Sequence, residues 1–145
     1  MRILIVDDNR DLVSSMTRLL QLMGHEVESA FDGRSGVEAA LRYRPRVILL
    51  DIGLPRLDGY EVARTLRGNG LGDVLMIAIS GYGQLSDRRR SREAGIDHHM
   101  TKPVDLRALL ALFPKEEEAV KEEDTGGVLK SDASRPASSD DPKSS

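Results

Sequence analysis

Three short apolar runs stand out along the chain: Ile3–Val6, Val47–Leu50 and Val74–Ile79, each four to six residues long. They are rich in β-branched residues and are followed by polar residues or glycine, the pattern of strands buried on both faces of a parallel sheet. Two further segments, Glu26–Ala30 and Asp97–Thr101, mix polar and apolar residues, which predicts edge strands. Between these runs the apolar spacing changes from strand to helix. Leu12, Met16, Leu19, Leu20 and Met23 recur at helical intervals up to a stop at Gly24. Val37, Ala40 and Leu41 form a second stripe ended by Pro45. Val62 and Leu66 mark a third helix closing near Gly68, and Ser86 to Ala94 a fourth closed by Gly95. Leu106, Leu109, Leu110 and Phe113 mark a fifth, stopped by Pro114.

Five strands alternating with five helices predict an α/β fold, a doubly wound five-stranded parallel sheet. The apolar strands belong in the centre and the mixed ones at the edges. Right-handed crossovers then favour the flavodoxin-like order 2-1-3-4-5, with the winding direction reversing between strands 1 and 3. Such sheets bind ligands outside the carboxyl ends of the strands at that switch point. Asp7 and Asp8 follow strand 1, Asp51 strand 3, Ser80 strand 4, and Lys102 strand 5, so the chemistry-bearing residues share one edge.

Charge separates the chain into two parts. From Pro114 onward there are nine acids and five bases, against fifteen acids and sixteen bases in residues 1–113. The later segment is rich in Ser, Asp, Glu and Pro, with Val120, Val128 and Leu129 its only large apolar residues. It buries too little surface to offset its ordering entropy, so residues 114–145 are expected to be a mostly disordered acidic tail on a 1–113 domain. Glu117 and Lys121, four apart, allow a fraying helix over Lys115–Asp124. Cys 0 excludes disulfides, thiolate zinc sites and cysteine nucleophiles. The apolar start is too short for a signal peptide or a membrane span, which points to a cytoplasmic protein without membrane contact. Five aromatics, Phe31, Phe113, Tyr43, Tyr60 and Tyr82, leave few platforms for stacking bases. Lys102 is the only lysine of residues 1–113, among fifteen arginines.

Three carboxylates gathered in one crevice repel one another unless a cation sits among them. An all-oxygen, partly hydrated site suits Mg²⁺ better than zinc or copper. Taken singly, Asp7 or Asp8 fits equally well as the cap of a helix starting near Asn9, and Asp51 as a turn acid before Gly53, Pro55 and Gly59. Taken together they favour a metal site, since capping needs one carboxylate and does not account for Asp51. Lys102 balances that charge, and Ser80 adds a hydroxyl on the neighbouring strand end. A carboxylate nucleophile, Mg²⁺, an ammonium and a hydroxyl are the parts that phosphoryl transfer requires.

The ordered set Ile5-Val6-Asp7-Asp8, Leu49-Leu50-Asp51-Ile52-Gly53-Leu54-Pro55, Leu57-Asp58-Gly59, Ser80-Gly81, Ala94-Gly95 and Lys102-Pro103 resembles the response-regulator receiver domains of two-component signalling, over about residues 2–113. The resemblance implies that Asp51 is the phosphoacceptor, taking its phosphoryl group from a phosphohistidine. It implies that Asp8, Asp51 and the Gly53 carbonyl ligate Mg²⁺, with Asp7 acting through water. Ser80 and Lys102 would contact phosphoryl oxygens, and the peptide before Pro103 would be cis. Partners would be a sensor histidine kinase or a histidine phosphotransfer protein, and the wording around Asp51 and His98–Pro103 is similar to receivers of hybrid sensor kinases.

The chain departs from the family in two respects. The switch position three before the lysine usually holds Tyr or Phe and is here His99, which can make the switch pH-sensitive. His98 reads as an exposed strand residue, and the two histidines point to opposite faces, against a metal pair. The second departure is at Gly53 and Tyr82, two past the aspartate and the serine; the resemblance implies that both border the path of attacking water and tune the lifetime of the acyl phosphate. Arg88, Arg89, Arg90 and Arg92 crowd the fourth helix. By resemblance the face of helix 4, strand 5 and helix 5 is where phosphorylation is read, and an acidic protein surface fits it; the acidic tail is a second candidate to cover it. Nucleic acid is not the expected partner, because net charge is −3 and no helix-turn-helix follows. A phosphohydrolase of the haloacid-dehalogenase type would need a second aspartate where Gly53 stands. A scaffold that is never phosphorylated would not need the full set Asp7, Asp8, Asp51, Ser80 and Lys102.

Overall fold

The computed structural model describes residues 1–81 and 88–115. Five strands and five helices alternate: β1 Arg2–Val6, α1 Arg10–Leu22, β2 Glu26–Ala30, α2 Gly33–Tyr43, β3 Val47–Asp51, α3 Gly59–Gly68, β4 Leu75–Ser80, α4 Arg88–Ala94, β5 His98–Thr101 and α5 Leu106–Leu112. All strand pairs are parallel, in the order β2-β1-β3-β4-β5. The expected topology is therefore the one observed, with the two mixed segments at the edges. Met1–Phe113 forms one compact unit. The expected tail helix beyond Lys115, the first residues of the fourth helix, and Tyr82 lie outside the described residues.

Strand periodicity sends alternate residues to two cores. Leu4, Val6, Ile48, Leu50, Met76 and Ala78 pack with Val62, Ala63, Leu66 and Ala94 under α2, α3 and α4. Ile3, Ile5, Val47, Leu49, Ile77 and Ile79 pack on the other side with Val13, Met16 and Leu20 of α1 and Leu109 of α5. The α1 stripe departs from expectation. Val13, Met16 and Leu20 are buried, whereas Leu19 and Met23 are about half exposed and Leu22 is 78% exposed. Only one edge of that apolar spacing meets the sheet.

Local signals start and stop the helices. Asn9, not Asp7 or Asp8, caps α1, its side chain accepting from the Leu12 amide at 3.1 Å. Asp58 and Glu61 form a reciprocal capping box on α3. α2 ends at Arg44 in the left-handed region, φ 54°, directly before Pro45. β5 begins one residue later than the pattern suggested. The Asp97 carboxylate accepts from the Met76 amide at 2.9 Å and from Arg67 at 3.0 Å.

Candidate functional site

The carboxyl ends of β1 and β3 bring three carboxylates together: Asp7, Asp8 and Asp51 offer oxygens that all lie within 4.8 Å of one another. Asp7 and Asp51 are buried and Asp8 is exposed, so the crevice opens to solvent on one side. Asp51 closes β3 between two central strands, with Leu50 and Ile52 both buried. Its Oδ1 accepts from the Gly53 amide at 2.8 Å, which holds the carboxylate in a tight turn. Gly59 closes over this turn. A Cβ there would stand 2.6 Å from the Ile52 Cα and 2.8 Å from the Asp51 carbonyl oxygen, so only glycine permits the approach of α3.

Lys102 reaches the crevice from the far side of β4. The Lys102 amide donates to the Ser80 carbonyl at 2.7 Å, continuing the β4–β5 pairing by one residue. Its ammonium lies 3.0 Å from Asp7 Oδ2 and 3.8 Å from Asp51 Oδ2. The Lys102–Pro103 peptide is cis, as the resemblance implied. Asp7 also accepts from the Asn9 amide at 2.9 Å, so both its oxygens have protein partners. That leaves it less free than the exposed Asp8 to take a further partner.

Electrostatics at Asp51 follow from crowding. Burial pushes its carboxyl above the usual value; the Gly53 amide and the Lys102 ammonium oppose this, and the charges of Asp7 and Asp8 add to it. A divalent cation among the three carboxylates removes that repulsion, and an all-oxygen donor set of this kind is suited to Mg²⁺.

Ser80 ends β4, 2% exposed, with its hydroxyl 3.1 Å from His99 Nε2. His99 therefore turns inward, and His98 is exposed, as alternation along β5 required. Burial, and then the charge of Arg88, hold the His99 imidazole below its ordinary value of 6.5. The arginines of α4 do not form one solvated face. All four are exposed and Arg89 pairs with Glu93 at 3.4 Å, but Arg90 turns back over the Tyr60 ring, 4.1 Å from its centroid, and lies 3.6 Å from Asp58.

Arg67 was not singled out from the sequence. Its guanidinium donates to the carbonyls of Leu71, Gly72, Val74 and Gly95 and to the Asp97 carboxylate, tying α3 to the start of β4 and to the turn before β5. Its acceptors are almost all backbone carbonyls, which leave no mark in the side-chain pattern.

Comparison with known proteins shows the family to which this fold and site belong. A family model for the response regulator receiver domain matches residues 3–113. The chain is 41% identical over 111 residues to the response regulator MprA of Mycobacterium leprae, covering 77% of this chain and 48% of that one. It is 40% identical over 110 residues to the protein of the same name from Mycobacterium tuberculosis, covering 76% and 47%. It thus spans about half the length of these relatives. Among solved structures, a CheY-like receiver domain protein from Methanospirillum hungatei superposes with a TM-score of 0.69 at 33% identity, covering 84% of this chain and 91% of that one. The receiver domain of Saccharomyces cerevisiae Ssk1, crystallised with the histidine phosphotransfer protein Ypd1, superposes at 0.68 with 25% identity, covering 76% and 83%. Among the described residues no helix is long and apolar enough to cross a membrane. The chain belongs to the response regulator receiver domains of two-component signalling.

Proposed function

We propose that Asp51 is a phosphoacceptor, taking a phosphoryl group from a phosphohistidine of a sensor histidine kinase or a histidine phosphotransfer protein. A carboxylate oxygen of Asp51 attacks phosphorus, the bond from phosphorus to the imidazole nitrogen breaks, and the departing imidazole keeps the electron pair. An acyl phosphate on Asp51 results. Asp8, Asp51 and the Gly53 carbonyl would hold Mg²⁺, with Asp7 linked through water; when bound, the ion neutralises charge on the phosphoryl oxygens. Lys102 supplies a second positive charge on the opposite side, and the Ser80 hydroxyl donates to a phosphoryl oxygen.

The single observation that carries this reading is the placement of the Lys102 ammonium 3.8 Å from Asp51, beside carboxylates that gather within 4.8 Å. No second aspartate stands at Gly53 to protonate a leaving group, so the chain is a signalling acceptor with slow self-dephosphorylation rather than a turnover enzyme. The likeness to the receiver domain of a response regulator downstream of a histidine phosphotransfer protein supports such a protein as the phosphoryl donor. Its downstream partner is a protein that meets the face of α4, β5 and α5, where Arg88 and Arg92 are exposed, and it acts in the cytoplasm.

Incubated with acetyl phosphate and Mg²⁺, the full chain is expected to gain one phosphate by intact mass, and Asp51→Ala to gain none. Many turnovers of released phosphate would instead mark a hydrolase. Absence of an adduct with every donor would mark a scaffold, and either result overturns the reading.

A further inference from the structure

Ser80 and His99 lie diagonally across the β4–β5 pair, where Ala78 pairs with His99 and Ser80 with Thr101. The Ser80 hydroxyl and His99 Nε2 are 3.1 Å apart. The other ring nitrogen, Nδ1, is buried and has no hydrogen-bond partner among the described residues. So is the Ser91 hydroxyl of α4, and both residues line one groove between α4 and β5, of about 350 Å³.

We propose that His99 is a positioning residue for Ser80 that works only as the neutral imidazole, so that protonating this one ring releases the Ser80 hydroxyl and weakens the hold on a phosphoryl group. Only the last step rests on the reading of Asp51 as phosphoacceptor. With the proton on Nε2, the ring donates to Ser80 Oγ and leaves the serine hydrogen free to donate elsewhere. The bare Nδ1 then costs one unsatisfied acceptor. An imidazolium in the same place buries a charged N–H at Nδ1 with no carboxylate among the described residues to receive it, which costs more. The charges facing the ring make that cost worse. Arg88 and Arg92 line the groove from α4. Asp97, the one acid lining it among the described residues, already accepts from Arg67 and the Met76 amide. His98 stands at the rim, exposed, and β4 contributes only the neutral Ser80. A protonated ring is therefore driven out toward solvent along the edge strand, and its bond to Ser80 is lost. Burial and the Arg88 charge hold the His99 imidazole low, in agreement with this geometry.

The test follows the His99 ring by NMR across a pH titration of the full chain. Its midpoint is expected below the ordinary 6.5, to rise in Ser80→Ala, and to stay low in Ser80→Thr, which keeps the hydroxyl. Magnesium with beryllofluoride, a phosphoryl mimic, is expected to lower it further. Beryllofluoride affinity should then weaken as the pH falls through the two His99 midpoints in the wild type relative to His99→Phe, approaching roughly tenfold for each unit the mimic moves the midpoint once the pH is below both. A midpoint at the ordinary value, or one unmoved by Ser80→Ala, overturns the proposal. Beryllofluoride that binds without shifting His99 overturns it while leaving Asp51 as acceptor. Beryllofluoride that never binds removes the Asp51 reading instead, and the Ser80→Ala comparison still decides the role of His99.

Discussion

Asp51 sits where a charge is costly, at the end of a central strand and beside two other acids. Because burial raises its pKa, the folded protein keeps a proton that the unfolded chain has already released between about pH 4 and the raised value. Stability therefore falls as the pH climbs through that window, and the deficit is complete above it. In magnesium-free buffer Asp51→Asn should melt higher than the wild type at pH 7, by roughly 4 °C for each kcal/mol recovered. The difference should vanish below about pH 4, where both side chains are neutral; a calorimetric pH series reads it directly. Asp7, Asp8, Asp51, Ser80 and Lys102 were legible from sequence because each follows a strand pattern, and the topology places all strand ends on one side. That Ser80 engages His99 was not legible. Alternation sets His98 and His99 on opposite faces, but that the inward ring reaches the Ser80 hydroxyl depends on its rotamer and on the packing of α4 against β5.

Among the elements, the central strands announced themselves by unbroken apolar runs, since a strand covered on both faces has no polar position to offer. Helix α1 was read less accurately. Leu19 and Met23 share the spacing of Leu12, Met16 and Leu20, but the sheet touches only an arc of the helix, and Val13 lies in that arc while Leu19 and Met23 do not. The join between α3, β4 and β5 depends on Arg67, whose bonds to Leu71, Gly72, Val74 and Gly95 satisfy carbonyls at two turns. Arg67→Met keeps the stem and removes the donors, and should cost about 2–4 kcal/mol in urea unfolding. Arg67→Lys should not restore it, because one ammonium cannot span both turns. At the end of α2, Arg44 holds a left-handed backbone, φ 54°. Arg44→Gly should stabilise by roughly 0.5–1 kcal/mol in the same measurement, by relieving that conformation.

For the molecule as a whole, the acidic crevice is a place where folding and ligand binding are linked, since its carboxylates converge only in the native state. Mg²⁺ at about ten times its dissociation constant should stabilise the wild type by about 1.4 kcal/mol in thermal unfolding. Asp8→Asn should lose most of that gain, because Asp8 is the exposed acid of the cluster. The sequence by itself determined the strand and helix order, the sheet topology and the edge on which the acids lie, because hydrophobic period and crossover handedness leave few other arrangements. Only the tertiary structure decided which arc of α1 faces the sheet, which carbonyls Arg67 joins, that Arg90 turns onto Tyr60, and that His99 points at Ser80. Those contacts join residues far apart in the chain whose side-chain directions are set by packing, and no local pattern encodes a direction that a neighbour from another element imposes.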